Sequence, residues 1–272
     1  MPARSMIRRH ALSAFFAGSV GLGSLVTASA ALLPKGANLL PLVAIPVSYV
    51  PAVLAVAINR ATARQQERAA FRRRTTDFSA GARSYGVALV GLPLVHVGGV
   101  ALATLARGKF PVHPEKLGLL PLLVITSVGE EIGWRGYALP KLQERFGPFT
   151  AGLIVGLGWA AFHWVALLSN PESPLIYVVL STVLFTALSV IITYVFNDAG
   201  QAVPVAVLMH AMYNTVSIGV VPLAETGVPL VALGLSAIVA WGAALAIAAA
   251  HRGDQAFVAS ESVTPGQYVY QA

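Results

Sequence analysis

"LGLLPLLVITSVGEEIGWRGY", residues 117–137, runs uncharged from Leu117 to Val128 and then sets two adjacent glutamates and an arginine at the end of the run. An apolar run of this length occurs in soluble cores as well as in membranes, so the rest of the chain has to decide. It is 56% hydrophobic and 11% charged, against about 25% charged in a soluble domain, and its mean hydropathy is +0.72. Stretches of about 20 apolar residues, enough to cross a bilayer, recur along nearly its whole length. The composition therefore predicts an all-α, polytopic membrane helix bundle. The question becomes why such a bundle carries paired carboxylates.

Eight spans are predicted, at about 11–33, 37–59, 84–106, 117–139, 148–169, 174–196, 200–221 and 228–250. Pro140 and the "FGP" at 146–148 mark a turn after the fourth. The organisation reads as an N-terminal transmembrane region at 1–116, a motif-bearing core at 117–220, and a last helix with a polar tail at 221–272, whose final residues are expected to be disordered. No internal repeat is evident. The chain has no cysteine, which removes disulfides, thiolate metal sites, cysteine nucleophiles and palmitoylation together.

The net charge of +7 does not point to nucleic acid. Arg60, Arg64, Arg68, Arg72, Arg73, Arg74 and Arg83 fall in one stretch between two apolar spans, without interleaved aromatic residues to stack bases. The stretch at 60–83 reads instead as a cytoplasmic loop facing anionic lipid headgroups. With the N-terminus inside, fourteen of the 18 Lys and Arg residues fall on the cytoplasmic side. Lys35, Arg107, Lys109 and Lys116 make up the other side. This bias predicts that both termini are cytoplasmic. A competing reading of "RRHALSAFFAGSVGLGSLVTASA" is a cleaved signal peptide, although its apolar stretch is long for one.

Within the spans, ionisable side chains are few. All three aspartates lie in tails or loops, and only Glu130 and Glu131 among the acidic residues fall in an apolar span. A carboxylate there is costly unless it is paired or faces a wet cavity, so function is the default reading. Glu131 and Arg135 stand at i,i+4, the spacing of an ion pair, while Glu130 lies about 100° round the helix and is left over. His96, His163 and His210 also lie at membrane depth. A lone histidine such as His96 is more often a helix–helix hydrogen bond. His210 shares a helical face with Asn214 in "HAMYN", and His163 has Trp159 one turn before it.

From the outer ends of their spans, Glu130, His210 and His163 lie roughly 20, 16 and 9 Å deep at about 1.5 Å per residue, which permits one shared site. Gly129 with Gly133, and Gly152 with Gly156, have the spacing that lets helices approach closely.

A carboxylate, imidazoles and an amide in an apolar setting suit hydrolysis, in which a base takes a proton from water and donors hold the oxyanion. There is no HExxH and no GxSxG. A serine–histidine pair stays open. Zinc, which could be bound by Glu130, Glu131, His163 and His210, also stays open as an alternative.

The ordered set "EEIGWR" (EExxxR), an aromatic-xxx-His segment ending at His163, and "HAMYN" (HxxxN) resembles the CPBP family, which includes the type II CAAX prenyl endopeptidases and bacterial Abi-type membrane proteins. The resemblance covers about residues 117–220. It implies an intramembrane endopeptidase of the bacterial plasma membrane that needs no cofactor and cuts a membrane-associated, prenylated or bacteriocin-like substrate. Glu130 would be the general base, assisted by His163. His210 and Asn214 would form the oxyanion hole, and Glu131 and Arg135 would hold the motif helix. The family has phenylalanine where this chain has Trp159, and Phe162 does not replace it. On this reading the larger ring affects the substrate groove more than the chemistry. Family members proposed to act as immunity or scaffold proteins supply a non-catalytic alternative. A proton-relaying transporter is a weaker one, for want of repeats.

Overall fold

The computed structural model describes residues 3–29, 40–105, 108–168 and 175–252, and every regular element among them is helical. In chain order these are α1 (Ala3–Ser29), α2 (Leu40–Thr62), α3 (Gln65–Thr76), α4 (Ala82–Thr104), α5 (Leu120–Glu131), α6 (Leu139–Leu168), α7 (Leu175–Asp198), α8 (Val203–Asn214) and α9 (Pro229–Ala250). Wide i→i+5 turns at Ile132–Ala138 and Thr215–Val220 continue α5 and α8. The connection holding Lys35, the residue Arg107 and the tail expected to be disordered lie outside the described residues.

Among the described residues, seven stretches are long and apolar enough to cross a membrane. One of them, Pro114–Leu168, has 55 residues. As one straight helix it would be about 80 Å long, far beyond a hydrocarbon core of about 30 Å. It is broken at Gly147, where φ is 71°, a backbone conformation that glycine adopts without steric cost. The described helices thus form the all-α polytopic bundle of an integral membrane protein, with seven such stretches where eight spans were expected, the fourth and fifth expected spans both lying in the stretch broken at Gly147.

The turn falls at Gly147, within the expected FGP, and Pro140 lies in the helix before it; the basic stretch at 60–83 is not simply a loop. Arginine, glutamine, glutamate and alanine are good helix formers. The Glu67 carboxylate reaches back to accept from the Arg64 backbone N–H at 3.3 Å, and α3 forms between them and Thr76. Its one buried side chain, Phe71, docks it on the bundle.

Arg74 ties α3 down further. Pro140 has no N–H, so the Gly136 carbonyl, four residues earlier, lacks its ordinary helical donor. The Arg74 side chain supplies one, with Nε donating to Gly136 O at 3.3 Å. Burial pushes the Arg74 guanidinium down to about 10, with the neighbouring Arg73 charge adding to the shift, so the side chain is still charged at neutral pH.

Both glycine pairs sit where helices touch. A Cβ on Gly129 would lie 2.6 Å from the Ser48 carbonyl oxygen, and one on Gly133 would lie 2.4 Å from Pro51 Cβ, so α5 and its continuation press against α2. On α6, a Cβ on Gly156 would meet Thr186 Cα at 2.7 Å, and one on Gly152 would meet Thr193 Oγ1 at 2.9 Å, both on α7. The stretch considered as a signal peptide is a wall of the bundle. Phe15 on α1 is fully buried, with its ring 5.3 Å from Trp134 and 5.2 Å from Tyr137.

Candidate active site

The wide turn after α5 follows the paired glutamates directly. Such turns interrupt a regular helix and often accompany functional sites. It carries Trp134, Arg135 and Tyr137 into the interior, where all three are buried. Glu130 and Glu131, at the end of α5, are also buried, with relative exposures of 5% and 0%.

The two carboxylates have different partners. Glu131 Oε1 accepts from Arg135 Nη1 at 2.8 Å and from His210 Nδ1 at 2.9 Å. Arg135 then donates through Nη2 to Ser189 Oγ on α7 at 3.2 Å, and Ser189 Oγ donates to the Gly152 carbonyl on α6 at 2.9 Å. This single network links α5, its turn, α6, α7 and α8. Among the described residues, Glu130 has no cationic hydrogen-bond partner. Its Oε2 accepts from the indole N–H of Trp159 on α6 at 2.8 Å.

Trp159 stands at the centre of the expected residues. Its ring lies edge-on to His210 at 5.0 Å and to His163 at 5.8 Å, and it stacks on Phe185 of α7 at 4.8 Å. The Arg135 guanidinium carbon lies 5.6 Å from its centroid. The structure thus gathers Glu130, Glu131, Arg135, Trp159, His163 and His210 around one indole. Asn214 stands one turn beyond His210 at the end of α8, half-buried. His96 is elsewhere. It is fully buried on α4, and its Nε2 donates to the Val221 carbonyl at 2.9 Å, the helix-to-helix bond expected of a lone histidine.

Hydrogen-bond chemistry constrains the imidazoles. His163 Nδ1 lies 2.8 Å from the Trp159 carbonyl oxygen, which can only accept, so Nδ1 carries the hydrogen. A neutral His163 then presents Nε2 as an acceptor. His210 Nδ1 donates to the Glu131 carboxylate, and its neutral ring has the same polarity. Only the imidazolium form of His210 offers an N–H at Nε2.

Among the described residues, no three histidine, aspartate or glutamate side chains converge as a metal-ligand set. Glu131 Oε1 is already taken by Arg135 and His210, and Glu130 Oε2 by Trp159.

Two contributors escaped the sequence reading. Ser189 and Phe185 lie on α7, the helix next to α6. Thr186, Ser189 and Thr193 recur there at helical spacing, and all are buried. That small polar stripe faces the Gly152 and Gly156 pair and was a readable signal.

Residues 113–216 match the family model described as Type II CAAX prenyl endopeptidase Rce1-like. A curated relative, CAAX prenyl protease 2 from Methanococcus maripaludis, is 26% identical over 116 residues. The match covers 39% of this chain and 42% of that protein, so the chain spans less than half the length of the relative it matches. The matched segment contains the paired glutamates, Arg135, Trp159, His163, His210 and Asn214, which the fold brings to one buried region. By this match and this ordered motif set, residues 113–216 are similar to the type II CAAX prenyl endopeptidases.

Proposed function

We propose that the protein is an intramembrane endopeptidase in which Glu130 activates water, and the observation that carries this reading is the unequal pairing of the two glutamates. Glu131 is committed to a guanidinium and an imidazole, which suits a residue that holds helices together. Glu130 receives one neutral donor and keeps the other oxygen for a proton. His163 Nε2, an acceptor in the neutral ring, suits a second partner for the same water.

On this reading the developing oxyanion takes its donors from α8. Asn214 brings a neutral amide. His210 donates through Nε2 as the imidazolium, with Glu131 as its counter-charge. In a water-excluded site such preset donors have their largest effect on rate.

The substrate class that fits is a peptide presented by the membrane, either prenylated or bacteriocin-like, since the buried Glu130 and Glu131 lie on apolar helices of the bundle. The exposed Arg68, Arg72 and Arg73 of α3 suit anionic lipid headgroups. Both termini and α3 are assigned to the cytoplasmic face of a bacterial plasma membrane. The reaction as proposed uses no metal or other cofactor.

The test is Glu130→Gln, which keeps the shape and removes the proton acceptor. Turnover should fall by at least about 100-fold while the folded protein is recovered normally. Membrane proteomes carrying wild-type or variant protein should differ by substrate fragments found only with the wild type. Equal fragments, with biological function intact, would leave a non-catalytic scaffold. Activity lost on chelation and restored by zinc would replace the glutamate mechanism with a metallopeptidase.

A further inference from the structure

The sequence comparison placed the effect of Trp159 in the substrate groove, yet its indole N–H ends on the carboxylate proposed as the base. That contact is 2.8 Å long, and both residues are buried, at 2% and 5% exposure. An indole has one donor and no acceptor, so this bond is the only hydrogen bond its side chain can donate. The phenylalanine that the family carries at this position could not make it.

We propose that Trp159 is the positioning residue of Glu130. Its N–H holds Oε2 and fixes the plane of the carboxylate, so that Oε1 alone receives the proton of the attacking water. This rests on the proposed role of Glu130 as general base.

Three further contacts make the indole a rigid donor. Phe185 stacks on one side at 4.8 Å and 26°. His210 packs edge-on at 5.0 Å. The Trp159 carbonyl is fixed by His163 Nδ1 at 2.8 Å. The same residue therefore sets Glu130 through its side chain and His163 through its backbone, which places both partners of the water under one residue. A hydrogen bond to a charged group has an effect of about 1.5–3 kcal/mol, or roughly ten- to hundredfold in rate if it is expressed in the transition state.

The test removes the proton and keeps the shape. In Trp159→benzothienylalanine a sulfur replaces the indole N–H, and Trp159→Phe serves as a second variant that genetic coding allows. Two readouts are taken on purified full-length protein. The infrared carboxylate stretch of Glu130, identified as the band lost in Glu130→Gln, should shift in both variants. With a peptide substrate, kcat should fall about ten- to hundredfold while KM stays within about twofold and the thermal midpoint of the isostere stays near that of the wild type. An unmoved band would show that the bond is not made and would overturn the proposal. A shifted band with unchanged kcat would reduce Trp159 to a structural contact. If wild-type protein cleaves nothing, the band still decides whether the bond exists, but the positioning role falls together with the proposed hydrolysis.

Discussion

Glu130, Glu131, Arg135, His163 and His210 all come from the segment that matches the family model, whereas among the described residues the helices before it contribute no ionisable group to the cluster. Yet α1, α2 and α3 make three specific contacts with the stretch carrying the motif. Phe15 packs on Trp134 and Tyr137. Ser48 to Pro51 lie where Gly129 and Gly133 leave no room for a Cβ. Arg74 supplies the donor that Pro140 lacks. One region brings the chemistry, and the other determines where the motif helix sits. Motif matching finds the first because chemistry restricts residue type, and overlooks the second because shape can be met by many residues.

The comparison is tested most severely at Arg135, within the chemical region. Arg135→Ala removes the guanidinium from a carboxylate that is wholly buried, with Glu131 Oε2 already lacking a partner among the described residues. Breaking a buried pair by deleting one member costs about 3–5 kcal/mol, a large share of the roughly 5–15 kcal/mol that folded proteins have. The expected result is a lost or strongly lowered yield in membranes and a lowered thermal midpoint in detergent. A variant that folds like the wild type but does not cleave would move Arg135 from support to chemistry.

Gly133→Ala tests the region of shape. The added methyl would meet Pro51 Cβ at 2.4 Å, and neither helix backbone can yield easily, so an overpacking cost of about 1–3 kcal/mol is expected. Because α2 sets the position of α5, activity should fall more than stability alone explains. Gly118→Ala, where a Cβ would meet nothing within 4 Å, is the control. Equal behaviour of the two variants in a thermal-unfolding assay would remove α2 from the account.

The bundle itself was legible in the sequence because apolar length is the dominant constraint in a bilayer. The partition of the glutamates was legible too, since Glu131 and Arg135 stand at i,i+4 and Glu130 does not. Three features were not. Alternation of apolar and polar residues says nothing of a wide turn at 132–138, whose residues read as ordinary helix. The partner of Gly129 and Gly133 could not be named, because close approach specifies small residues on one helix and little on the other. The bond from Trp159 to Glu130 was not read because the ring was considered for size and not for its N–H.

Arg74→Gln should have a smaller effect. The Nε bond to Gly136 O, at 3.3 Å, is long and only part-buried, so a loss of about 0.5–1.5 kcal/mol is expected. Hydrogen exchange should rise at Ala138 to Leu142, next to the turn that α3 covers. Unchanged exchange there, with Phe71 still protecting α3, would show that Pro140 needs no outside donor.

The smallest expected effect on stability is at the exposed arginines of the same helix. Arg72 and Arg73 are exposed, and changing surface residues free of special contacts usually moves stability by no more than about 0.5 kcal/mol. Arg72→Gln with Arg73→Gln should therefore leave thermal unfolding almost unchanged in detergent. Headgroup attraction should weaken by about 1 kcal/mol per residue near an anionic surface and fade within a Debye length as salt rises. The measurement is flotation of a peptide spanning α3 with vesicles containing phosphatidylserine, at low and high salt. Two arginines removed should weaken binding roughly thirtyfold at low salt and much less at high salt. Equal binding of variant and wild-type peptides would mean that these charges serve neither the lipid nor the bundle, and the contrast between an inner face that docks and an outer face that meets the membrane would no longer describe α3.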